Sequence, residues 1–206
     1  MDEVNIISEG YKELFGEKDL RITPLPKSGS DRKYFRITDA ERSIIGAFNP
    51  LDEENEAFVG FTDHFLSKGL NVPEVFGYLP DKHIYFQQDL GDVNLYSWLI
   101  NKSDASCFSS LTKDLYRKVL DNLILFQTKG IEDLNFDLCY PHKSFDRQSM
   151  MWDMNYFKYM LLKLLAVPFN EQRLEHDFNS LADYLLELSG GDVNILTDVT
   201  GLHAVA

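Results

Sequence analysis

The stretch Lys27-Ser28-Gly29-Ser30-Asp31-Arg32-Lys33 packs small residues and cations into one turn between two strand-like segments. A strand pair joined in this way presents backbone N–H groups and positive charge together, which is the chemistry that holds phosphate groups. Lys27, Arg32, Lys33 and Arg36 make a local basic cluster inside a chain of formal net charge −13. That balance argues against a general nucleic-acid binder, whose phosphate contacts need a basic face. The cluster suits one small polyanion. A second group, Phe86-Gln87-Gln88-Asp89-Leu90-Gly91-Asp92, ends a later strand in a polar turn containing glycine.

The elements that must position these groups can be read from periodicity. Val4, Ile7, Tyr11 and Leu14 recur at helical spacing and predict a short amphipathic helix at the start. Strands are expected at 20–25, 33–38, 43–48, 75–79 and 83–88, with Thr38-Asp39-Ala40-Glu41-Arg42 as a turn. Between the third and fourth strands, Asp52 is expected to cap a helix with Phe58, Phe61 and Phe65 on its apolar face. Gly69 is placed to stop it. After Gly91 the pattern turns helical: a short helix at 95–100, then helices marked by Leu111 to Phe126, Met151 to Leu165 and Leu174 to Leu185. Met150, Met151, Met154, Tyr156, Phe157 and Met160 are read as core packing. The expectation is an α+β fold: a five-stranded antiparallel lobe over 1–90, then a helical lobe over 91–206.

Other chemistries find little support. Cys107 and Cys139 are far apart and lack metal-ligand spacing, which suits reduced thiols. The histidines form no ligand pair, and no Walker-type phosphate loop is present. The N-terminus lacks the basic start and apolar stretch of a secretory signal. The longest apolar run, Tyr159 to Val167, is too short to span a bilayer and carries Lys163. A soluble, cytoplasmic protein is expected, with neither nucleic acid nor membrane as partner.

In order and spacing, three segments resemble the aminoglycoside phosphotransferase family of protein-kinase-like enzymes: Ser28 to Arg36, Asn71-Val72-Pro73-Glu74-Val75, and Gln88 to Asp92. The segment Phe145-Asp146-Arg147-Gln148-Ser149-Met150-Met151-Trp152-Asp153 is similar to the same group. Within that family the chain looks most like bacterial kinases of the anomeric hydroxyl of N-acetylmuramate and N-acetylglucosamine. The resemblance covers about residues 20 to 188 and implies ATP and Mg²⁺ as cofactors and a small sugar as acceptor. It implies that Ser28, Gly29, Ser30, Asp31, Arg32 and Lys33 cover the nucleotide phosphates. The backbone of Gln88, Asp89, Leu90 and Gly91 would then hold the adenine edge. Asp146, Arg147, Trp152 and Asp153 would face the sugar.

Two departures bear on activity. The strand Ile44-Ile45-Gly46-Ala47-Phe48 offers no lysine for the phosphates, so Arg32 or Lys33 would supply that charge and Glu56 would be a surface residue. Near the C-terminus, Gly-Asp followed by Asn-Ile-Leu resembles the family's catalytic loop, with Asp192 as base and Asn194 as metal ligand. They stand two residues apart where the family has five, the sequence ends about where the family's second metal aspartate would come, and Asp198 is not expected to stand in for it. A loop three residues shorter cannot set the base beside the acceptor and also aim Asn194 at Mg²⁺. Losing the general base alone costs on the order of 10²–10⁴ in rate. The sequence predicts an impaired phosphotransferase; a non-catalytic nucleotide-binding module and an inactive truncated fragment are the alternatives.

Overall fold

The computed structural model describes residues 2–27, 31–101, 109–140, 143 and 145–188. The chain is α+β, built on a five-stranded antiparallel sheet in the order β1-β2-β3-β5-β4. The strands are β1 (Arg21–Pro24), β2 (Lys33–Thr38), β3 (Ser43–Phe48), β4 (Val75–Leu79) and β5 (Ile84–Gln88). The helices are α1 (Glu3–Phe15), α2 (Asp52–Ser67), α3 (Leu95–Asn101), α4 (Ser110–Thr128), α5 (Arg147–Phe157) and α6 (Glu171–Leu188). The chain divides into two compact units, with the described residues through Tyr140 in the first and those after it in the second. No described helix is long and apolar enough to cross a membrane.

Strand alternation gives the sheet two different faces. On one, Phe35, Ile37, Ile44, Ile84 and Phe86 join Ile7 and Tyr11 of α1 in a buried cluster. Gly10 lets α1 come close, since a Cβ there would stand 2.2 Å from Ile84 Cδ1. On the other face α2 packs, with the Phe58 ring stacked on Tyr85 at 4.7 Å. The expected apolar stripe of α2 is buried at Phe58, Phe61 and Phe65. Gly69 ends the helix at φ +71°, a conformation that favours glycine.

Asp52 departs from its expected role. Leu51 occupies the cap position without a side-chain bond, and Asp52 instead meets His83 Nδ1 at 2.6 Å. A second departure lies in the second unit. In place of one helix through Leu165, α5 gives way to a π-helical segment, Lys158–Lys163, and the chain turns at Ala166 with φ +51°. Within it Lys158 is buried and pairs with Glu171 and Glu175 at 2.9 and 2.8 Å. The aromatic and methionine residues there do not form the expected core: Met150 is buried, whereas Tyr156, Phe157 and Met160 are exposed. The α4 stripe is likewise mostly open. Phe126 is buried against Phe65, but Leu111 and Leu123 are exposed.

The β2–β3 turn is held by one carboxylate. Asp39, with a side chain 1% exposed, accepts from the Tyr11 hydroxyl at 2.6 Å and from the amides of Glu41 and Arg42. Lys18 pairs with it at 3.1 Å. The Tyr11 bond, then these amides and Lys18, hold the Asp39 carboxyl well below the usual carboxylate range. A depressed folded value means stability that is full above the unfolded value of about 3.9 and is lost as pH falls through the folded one. Asp39→Asn is therefore expected to melt lower than the parent at neutral pH, with the gap closing below about pH 4. Melting temperatures of both proteins between pH 7 and pH 2 test this; a gap that stays constant would show that the charge is not what matters.

Candidate functional site

The turn before β2 and the exit from β5 both belong to the first unit, and the structure places their charged residues in defined pairs. Ser28, Gly29 and Ser30 lie outside the described residues, as do Asp192 and Asn194. Asp31 is exposed. Arg32 is 7% exposed; its Nη2 donates to Glu54 of α2 at 3.2 Å, and its guanidinium sits over the Phe58 and Tyr85 rings at 5.5 and 5.8 Å. Asn49 Nδ2 donates to the same Glu54 carboxylate at 2.9 Å. Arg32 Nε and the Tyr85 hydroxyl are buried without a hydrogen-bond partner. Burial disfavours the Arg32 cation, yet Tyr85, Tyr34 and Glu54 outweigh that and raise its pKa. Burial likewise raises the Tyr85 phenol.

Lys33 points to the α1 side of the sheet and pairs with Glu3. Arg36, on the same face of β2 as Arg32, reaches the end of β5 and forks onto Asp89, with Nε at 2.7 Å and Nη2 at 2.9 Å. Of the basic cluster, Arg32, Lys33 and Arg36 are thus each matched by a carboxylate. Lys27 is exposed and makes no ion pair to a described residue. Gln88 closes β5 opposite Ile44 and donates its amide to Glu74 O at 2.8 Å. Leu90 is exposed, and Gly91 has φ +82°.

Neither a family model nor a curated protein matches this chain. The exit from β5 is a short turn in which Leu90 and Gly91 are exposed and Asp89 is partly buried. Exposed main-chain groups in such a turn can read the edge of a flat polar ligand. Among the described residues no three His, Cys, Asp or Glu side chains gather as a metal site requires. Asn194, which the resemblance implies for Mg²⁺, and the base Asp192 lie outside the described residues.

The four residues assigned to a sugar lie in the second unit. Asp146 caps α5, its Oδ1 accepting from the Ser149 amide at 2.9 Å. Arg147 pairs with Asp183 and donates to Asn179 Oδ1 at 2.8 Å, tying α5 to α6. Trp152 is half exposed. Asp153 lines an open groove of about 510 Å³ with Tyr156, Phe157, Met160 and Leu161.

Glu54 and Asn49 escaped the sequence reading, although one signal was present. Glu54 falls in line with Phe58, Phe61 and Phe65 on the inward stripe of α2. A carboxylate on such a stripe must find a buried cation or polar partner.

Proposed function

We propose that this chain is a nucleotide-binding protein of the kinase-like phosphotransferase kind, similar to kinases of small sugars and impaired in phosphoryl transfer. The observation that carries the reading is the course of the chain: antiparallel strands in the order β1-β2-β3-β5-β4, α2 inserted between β3 and β4, and an exposed linker leaving β5. That course is what the resemblance implies for a nucleotide-holding lobe. ATP would lay its base against the Asp89–Leu90 backbone and its phosphates under the 28–33 turn. A sugar would engage Asp153 and Trp152. The part-buried Arg32–Glu54 pair supports the reading by tying the turn to α2, where a kinase-like lobe has a cation–carboxylate link between sheet and helix.

A non-catalytic role is favoured by charge. With Arg32 facing Glu54 and Lys33 facing Glu3, the turn has little positive charge left for a triphosphate. The shortened Asp192–Asn194 spacing points the same way. Binding without turnover is the expected behaviour.

A thermal-shift titration with ATP, with and without Mg²⁺ and with GTP as control, tests the proposal. A ligand at about a hundred times its dissociation constant adds roughly 2.7 kcal/mol. For a chain of this size that is a rise of about 5–10 °C. A saturable rise selective for ATP supports the reading, and sugar-dependent ADP release then separates an active enzyme from a binding module. A cooperative melt that no nucleotide moves would sink it.

A further inference from the structure

The linker that would hold the base is itself held in place. The Asp89 carboxylate collects bonds from three separate segments. Arg36 of β2 donates Nε and Nη2 at 2.7 and 2.9 Å, Ser43 at the start of β3 donates its hydroxyl at 2.6 Å, and the Gly91 amide donates at 3.0 Å. The third arm of the guanidinium, Nη1, donates to Asp92 at 2.7 Å. The Asp89 side chain is only 10% exposed and that of Asp92 is 78% exposed, so the fork to Asp89 is the shielded part. Burial pushes the Asp89 carboxyl up, but Arg36, Ser43 and the Gly91 amide outweigh it and leave it below its ordinary value. Planar forks of this kind fix direction as well as distance, which a lysine cannot do. The strand ends, the reversal at Gly91 and the Asp89–Leu90 peptide are thereby locked as one piece, while Leu90 and Gly91 stay exposed.

We propose that Arg36 is a positioning residue for base selection: its fork to Asp89 fixes the Asp89–Leu90 peptide groups at the angle that matches adenine. This rests on the nucleotide-binding reading above. Adenine presents an amino donor beside a ring acceptor, whereas guanine presents a carbonyl acceptor beside a ring N–H. A rigid C=O and N–H pair rewards one pattern and leaves groups unpaired against the other. A linker free to rotate discriminates less, because the penalty for the wrong base depends on its being unable to adjust.

The test uses the full chain and measures dissociation constants for ATP, GTP and adenosine by calorimetry, together with melting temperatures. Arg36→Lys keeps the charge and removes the fork; Asp89→Asn keeps the shape and removes the charge. Both are expected to weaken ATP and adenosine roughly tenfold, the scale of one charge-assisted bond, while GTP changes less, so the ATP:GTP preference narrows. Asp92→Asn, which strips only the exposed arm, is expected to move that ratio by less than about threefold. A purely structural staple would lower the melting temperature and leave the ratio alone. If the parent binds ATP selectively and both variants keep its ratio, the inference is overturned and the nucleotide reading stands. If the parent binds no ATP, both fall together. Should Arg36→Lys fail to melt cooperatively, the ratio in Asp89→Asn decides.

Discussion

Glu54→Leu is expected to destabilise the first unit by about 3 kcal/mol, and Arg32→Met added to it to recover much of that loss. The reasoning starts from burial. The Arg32 guanidinium is 7% exposed and has one carboxylate, Glu54, at 3.2 Å, with aromatic rings on its faces. Removing that carboxylate strands a cation in an apolar setting, which costs about 3–5 kcal/mol for a fully buried pair. Glu54 keeps 34% exposure, so water already screens part of the attraction and the low end applies. Asn49 Nδ2 would lose its shorter acceptor as well, keeping only Leu51 O at 3.5 Å. Methionine at 32 fills the space between Phe58 and Tyr85 without charge, so the double variant has no ion to desolvate. Urea unfolding of the parent, both single variants and the double variant closes the cycle. For the glutamate variant the matching fall in melting temperature is about 6–12 °C. Single effects that simply add would mean that Arg32 and Glu54 are not coupled and that the turn is not anchored to α2.

That pair also marks where sequence reading stops. Strands at 33–38, 43–48 and 75–79 are found where alternation and turn residues placed them, because a strand's period and its flanking breakers are local facts. Gly69 ends α2 for an equally local reason. Charge pairing is not local. Arg32 and Lys33 read as free cations because their partners stand 22 and 30 residues away. The burial of Lys158 was hidden for the same reason, since its partner Glu175 stands 17 residues on and no 3.6-residue period records that. The stripe on α4 shows a third kind of limit. Its spacing says that one face is apolar, and the structure covers Phe126 while leaving Leu123 open. Of the candidate site, the linker and its glycine were legible. The fork from Arg36 that holds them needed the register placing Arg36 opposite Ile45, and Ile45 opposite Gln87.

Deleting residues 2–16 is expected to abolish cooperative folding of the first unit, a larger effect than any single substitution above. α1 is the cover of one whole sheet face. Ile7 and Tyr11 are 0% and 1% exposed, and beneath them lie Phe35, Ile37, Ile44, Ile84 and Phe86, each 5% exposed or less. Each such side chain gains about 1.5–3 kcal/mol from burial, so uncovering the face forfeits on the order of 10 kcal/mol. A domain has a net stability of about 5–15 kcal/mol. Asp39 would also lose the Tyr11 hydroxyl that shields its charge. A graded version keeps the helix and disturbs only its seat. Gly10→Ala improves helix propensity by about 1 kcal/mol, yet its methyl would arrive 2.2 Å from Ile84 Cδ1, inside any tolerated contact. Ile84 is fully buried and can yield only by pushing on its neighbours, so overpacking of about 1–3 kcal/mol is expected to win and the variant to melt lower. If the truncated chain melts cooperatively near the parent temperature, α1 is an appendage and the sheet is stabilised elsewhere. If Gly10→Ala melts higher, Ile84 has room to move and the helix sits on the sheet less tightly than its contacts indicate.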